Sequence, residues 1–132
     1  MPLAGEQLSI KEALALCHVV GFRGPKLIDA VAVMCAESGR YTEAWHDNTD
    51  ENGNVLSTDR GLYQINTIHA GVSDDEAYDP KQNAAFAFQL SKGGEDFSPW
   101  MAYNSGAHEK FIDGIKEVKD ADTWKSRTKL WE

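Results

Sequence analysis

The chain has 132 residues, 42% hydrophobic and 26% charged, enough apolar material for one domain spanning residues 1–132 to close a core without disulfide staples. Its formal net charge of −8 weighs against a nucleic-acid partner, because phosphate contacts depend on clustered Lys and Arg. No apolar run reaches the roughly 18 residues of a membrane span, and the first ten residues lack the basic and apolar regions of a signal peptide. Any polymer partner of so acidic a chain is gripped by shape and hydrogen bonds. Cys17 and Cys35 are too few and too far apart for a disulfide or zinc framework. They read as two buried thiols on packed helices, with a Cys17–Cys35 bridge as the alternative.

Ser9 and Glu12 have capping-box spacing, and Ile10, Ala13, Leu14, Cys17 and Val20 then fall on one helical stripe. Gly21 and Gly24 end this helix, and Pro25 suits the first turn of the next. There Leu27, Ile28, Val31, Met34 and Cys35 recur at helical spacing until Gly39 offers a stop. Residues 40–58 turn polar, and Asn52-Gly53 is a two-residue turn signal that predicts a small hairpin returning through residues 61–65. Residues 66–78 read as an irregular loop. Asp79-Pro80 opens a third helix, apolar nearly all round through Ala84, Ala85, Phe86, Ala87, Phe88 and Leu90, which should be central. Ser98-Pro99 repeats the start signal, Gly106 breaks the chain, and Phe111, Ile112, Ile115 and Val118 mark an amphipathic helix. A last short helix runs from Asp122 to Trp131.

Two carboxylates stand out. Glu37 closes the second helix at the negative end of its macrodipole, with Val33 and Met34 a turn behind, and both settings favour the protonated acid that a general acid needs. The plain alternative is an exposed helix-end Glu. Asp59 lies on the predicted hairpin, where it either caps the turn before Arg60-Gly61 or supplies the second group of a carboxylate pair. Two carboxylates in unlike environments are the usual apparatus for cleaving a glycosidic bond.

Glu37-Ser38-Gly39, then Gly61-Leu62-Tyr63-Gln64-Ile65-Asn66, then Trp100-Met101-Ala102-Tyr103-Asn104-Ser105-Gly106, resemble in order the motifs of the lysozyme-like superfamily. The nearest branch is the soluble lytic transglycosylase and goose-type lysozyme group, and the resemblance covers roughly residues 8–118. It implies a mainly α (α+β) fold, a helical bundle with a small β-hairpin beside the active-site cleft. It further implies that Glu37 is the catalytic acid and then base on the MurNAc–GlcNAc β-1,4 linkage of peptidoglycan. Gln64 would line the groove, Tyr103 would hydrogen-bond near Glu37, and Ser38 and Asn104 would support site and substrate. Tyr41, Trp45 and Trp100 are candidates for stacking on sugar faces, although Trp100 also suits core packing.

The run from Ser57 to Asn66 is also similar to the hairpin of animal-type lysozymes, where the matching Asp is the second catalytic carboxylate. Lytic transglycosylases usually lack it and leave a 1,6-anhydro sugar, so Asp59 keeps hydrolysis and transglycosylation both open. A competing reading of the loop is calcium binding, since Asn48, Asp50, Asn52, Gly53 and Asp59 fall at positions 1, 3, 5, 6 and 12 of an EF-hand-like loop. Hairpin chemistry explains Asn52-Gly53 without a metal, and no cofactor is expected. His18, His46, His69 and His108 lack zinc-ligand spacing, and Ser38 and Ser105 lack a nucleophile elbow. The expected partner is a peptidoglycan glycan strand, bound by a monomer acting on the bacterial cell wall. The missing signal fits a phage-encoded protein, released at lysis or virion-associated, or an excised domain. A non-catalytic glycan-binding or structural domain of a larger assembly is the alternative.

Overall fold

The computed structural model describes residues 4–132; the first three residues, which bear on the expectation of no signal peptide, lie outside the described residues. The first helix, α1 (Ile10–Val20), begins as its sequence dictates. Ser9 accepts from the Glu12 backbone N–H, and the Glu12 side chain accepts from Ser9 in return. Five consecutive residues, Ala13 to Cys17, are buried, which no single stripe allows. This helix is surrounded by α2 (Pro25–Ser38), α4 (Pro80–Leu90), α6 (Ile112–Asp120) and a terminal 3-10 segment (Thr123–Leu130). The centre of the helical body is therefore α1. The expectation that the Pro80 helix would be central is corrected, because it buries only Asn83, Ala84 and Ala87 and leaves Lys81, Gln82 and Gln89 exposed.

In α2, Leu27, Ala30 to Cys35 and Ser38 are buried, and each large apolar side chain so removed from water contributes about 1.5–3 kcal/mol. Gly39 ends the helix in the left-handed region at φ +61, its N–H donating to the Cys35 carbonyl. Cys17 and Cys35 are both free and buried.

Three antiparallel strands, β1 (Trp45–Thr49), β2 (Val55–Arg60) and β3 (Ile65–Asn66), pair in that order. The return strand is thus Val55–Arg60, whereas residues 61–64 form the tight turn into β3. The hairpin loop is longer than two residues because Asp50 takes the backbone N–H groups of Asn52 and Asn54 on Oδ1, and only Gly53 of the Asn-Gly pair has positive φ. Residues 66–78 are more ordered than expected. Ser73 and Glu76 form a second capping box that starts α3 (Asp74–Tyr78). Asp79 caps α4 through the N–H groups of Lys81 and Gln82.

Two buried polar side chains fasten the sheet to the helices. The Arg60 guanidinium donates to the carbonyls of Ile65 and Val72 and to Asp74. Asn83 accepts from the Tyr63 N–H and donates to the Arg60 and Ala77 carbonyls. Beyond Ser91 the chain reaches α5 (Met101–Asn104), one turn that starts after Trp100 and not at Ser98-Pro99. A 3-10 turn (Glu109–Phe111) leads into α6. In the terminal segment Trp124 is buried, and the Trp131 indole N–H donates to the Glu12 carbonyl, tying the end of the chain to α1. Among the described residues no helix is long and apolar enough to cross a membrane.

Candidate active site

A cavity of about 330 Å³ opens where the end of α2 meets the sheet and the start of α5. Glu37 and Asp59 both line it, with Gln64, Asn66, His69 and Trp100 among their neighbours. Each group reaches this cavity through a local rule of the fold. Glu37 is the penultimate residue of α2, half-buried because the helix ends against α5. Its pKa is pushed up, first by burial; the Ala102 N–H in the first turn of α5 works against this, and the charge of Asp59 adds to it.

Asp59 stands in the central strand, opposite His46 on one side and Asn66 on the other. Its two carboxylate oxygens are held separately, Oδ2 by Asn48 Nδ2 at 3.1 Å and Oδ1 by Asn66 Nδ2 at 2.9 Å. The same two amides also donate to Ser57 Oγ, at 3.1 and 3.0 Å. Asp59 is therefore fixed by the sheet rather than used as the cap of the following turn, where the Gly61 N–H goes to the Ala44 carbonyl. Asp50 is occupied by its own loop, and among the described residues no three His, Cys, Asp or Glu side chains converge on a metal-sized point.

Gln64 adopts φ +50, a left-handed conformation that turns its side chain back over the loop. Both hydrogens of its Nε2 are engaged, by the Ala44 and Gly61 carbonyls, which leaves the amide oxygen as its free acceptor. Trp100 is 5% exposed, with its indole N–H donating to the Tyr63 carbonyl, so one aromatic both fills the core and forms a wall of the cavity.

The remaining expected residues are not brought into the cavity. Ser38 is fully buried and closes α2, donating to the Met34 carbonyl and accepting from the Arg40 N–H. Tyr103 stacks on His108 (4.6 Å) and packs at a tilt against Phe97 (5.4 Å), and among the described residues no hydrogen bond joins it to Glu37. Asn104 donates to the Ser98 carbonyl and so braces the loop before α5. Tyr41 lies against Gly39 and pairs with Gln7, outside the cavity, and Trp45 sits on the edge strand. Conversely, Asn66, His69, Leu90, Pro99 and Met101 line the cavity without having been singled out as site residues. Asn66 was within reach, since it ends the Gly-Leu-Tyr-Gln-Ile-Asn motif; the others carry no local signal.

A mainly helical body with a small antiparallel sheet beside a carboxylate-bearing cavity defines a lysozyme-like fold. The sequence profile of the family described as Lysozyme like domain matches residues 14–102, and the chain belongs to that family. This is a family of glycosidases acting on peptidoglycan of the bacterial cell wall. The matched segment contains Glu37, Asp59, Gln64 and Trp100 and stops before Tyr103 and Asn104. A comparison with curated proteins finds no match.

Proposed function

We propose that the chain is a muramidase that hydrolyses the MurNAc–GlcNAc β-1,4 bond of peptidoglycan, with Glu37 as general acid and then base. The observation that carries this reading is the pairing of two unlike carboxyl groups in one cavity: a half-buried Glu37 with a raised pKa and an Asp59 held by two amide donors. The protonated Glu37 gives its proton to the glycosidic oxygen as the bond from that oxygen to C1 breaks. The negative charge of Asp59 stabilises the oxocarbenium-like C1, and the Glu37 carboxylate then takes a proton from the water that adds there. Gln64 offers its amide oxygen to a sugar hydroxyl or N-acetyl N–H. Ser38 and Asn104 act on the reaction only by holding the end of α2 and the entry to α5, and the enzyme works as a monomer.

The fixed Asp59 favours hydrolysis over intramolecular attack by the sugar's own 6-hydroxyl. Mass spectrometry of digested peptidoglycan separates the two. Hydrolysis yields a reducing-end MurNAc, and a product lighter by one water would replace it with transglycosylation. Glu37→Gln keeps shape and removes the acid, so clearing of purified walls should fall by about 100-fold or more. Clearing at the unsubstituted rate would overturn the assignment of Glu37. Muropeptide binding without any cleavage by the native chain would favour a non-catalytic glycan-binding domain.

A further inference from the structure

Helix α5 is a single turn, so its backbone N–H and C=O groups find few partners within the helix itself. Ala102, in its first turn, is buried and is met at both ends from outside it. Its N–H goes to the Glu37 carboxylate. Its carbonyl accepts twice from one residue, His108, from the backbone N–H at 3.2 Å and from ring Nδ1 at 3.2 Å. A carbonyl can only accept, so Nδ1 carries the hydrogen and this contact settles the ring tautomer. His108 is buried, with the Tyr103 ring stacked on it at 4.6 Å and with α2 packed against both α5 and the 3-10 turn that follows. On the α2 side the half-buried Asp29 feels the charge this ring can carry, which works against the upward effect of burial on that carboxyl. Glu109 and Lys110 in the 3-10 turn are exposed.

We propose that His108 is a positioning residue for Glu37: its Nδ1–H fixes the Ala102 carbonyl, and the backbone so held aims the Ala102 N–H at the carboxyl group of the general acid. The inference rests on the glycosidase reading of the Glu37 cavity. The two bonded groups of Ala102 lie in adjacent peptide planes that share its Cα, so rotating one plane displaces the other. A helix of one turn has no ladder of hydrogen bonds to resist that rotation. The donor that reaches Glu37 is therefore only as well placed as the carbonyl that His108 holds. An N–H bonded to a carboxylate favours its charged form, which offsets the effect of burial and lets Glu37 part with its proton before recovering one from water. Tyr103, expected beside Glu37, contributes at one remove, by lying flat on the ring that holds Ala102.

Two variants each keep one property of the side chain. His108→Phe keeps a flat ring for Tyr103 and loses the donor, whereas His108→Asn loses the ring and keeps an N–H near the position of Nδ1. On soluble uncrosslinked peptidoglycan, His108→Phe should lower kcat about tenfold with KM changed less than about twofold. Its activity should also extend to higher pH, because Glu37 without its N–H donor holds its proton longer. His108→Asn should restore most of kcat and the native alkaline limb. A Phe variant with native kcat and native limb, or an Asn variant as impaired as the Phe one, overturns the proposal. The native chain supplies a second measurement that needs no substitution at His108. By NMR the Ala102 amide should move with the titration of the Glu37 carboxyl, the movement should vanish in Glu37→Gln, and the His108 nitrogen shifts should place the hydrogen on Nδ1. An Ala102 amide indifferent to Glu37, or a hydrogen on Nε2 alone, overturns the proposal without any turnover. Absence of cleavage by the native chain while that coupled titration persists overturns the glycosidase reading instead.

Discussion

At Glu37 the requirement of chemistry and the requirement of stability point in opposite directions. Burial raises its pKa, so the folded chain binds a proton that the unfolded chain releases at the same pH. The stabilisation tied to that proton is complete below the ordinary Glu range and disappears as pH rises through the raised folded pKa. Glu37→Gln should therefore melt at a higher temperature than the native chain, with a small gain near about pH 4 and a larger one near about pH 7. Thermal denaturation followed by circular dichroism at the two pH values checks this, and a gain that shrinks with pH would contradict it. Activity should fall along the same pH window, because only the protonated acid can give its proton to the leaving oxygen.

Caps carried most of what the elements disclosed in advance. Ser9 with Glu12, Asp79 before Pro80, and Gly39 each satisfy or release specific backbone groups, so the bounds of α1, α2 and α4 follow from neighbouring residues. The return strand lies earlier than the Asn-Gly signal predicts because the Asp50 side chain enlarges the hairpin loop, and α3 replaces the expected irregular loop where Ser73–Glu76 repeats the signature of Ser9–Glu12. Of the residues that line the candidate cavity, Glu37, Asp59, Gln64 and Trp100 are legible from motifs. Tyr103 is not, because its direction depends on how a one-turn helix is rotated by contacts with Phe97 and His108. The turn of residues 61–64 is the most demanding piece. Gly61 has φ +75, and a Cβ there would sit 2.2 Å from the Ala77 carbonyl oxygen and 2.5 Å from Asn83 Nδ2. Gly61→Ala should cost about 3–5 kcal/mol through strain and overpacking combined. Chemical denaturation measures the loss, and a change within experimental error would show that the sheet can shift freely against α3.

The charge of the whole molecule is unevenly placed. Residues 37–96, which carry the sheet and most of the cavity, hold twelve Asp and Glu against four Lys and Arg, while the rest of the chain is balanced at nine of each. The entire net charge of −8 therefore belongs to the half that carries the candidate site. An anionic cell wall repels this half at low salt, and the repulsion fades as the Debye length shrinks to about 8 Å near 0.15 M. Clearing of intact walls should quicken when ionic strength is raised from about 10 to about 150 mM, and turbidity assays across that range would expose the opposite trend. Uncharged oligosaccharides should show no such dependence.

Tyr63 sits where the sheet, α1 and α2 meet, its hydroxyl donating to the Ala30 carbonyl at 2.8 Å and lying 3.1 Å from Cys17 Sγ. Burial holds the phenol well above its ordinary pKa and pushes the neighbouring thiol up to about 12. The joint between the two halves thus contains its own optical and chemical gauge. In an alkaline absorbance titration the phenolate of Tyr63 should emerge only together with loss of the helical circular dichroism. In the intact fold Cys17 should ignore thiol reagents until the same joint parts. A cleft enzyme whose halves flexed freely during turnover would reveal that gauge early; one that works as a fixed frame would keep it silent.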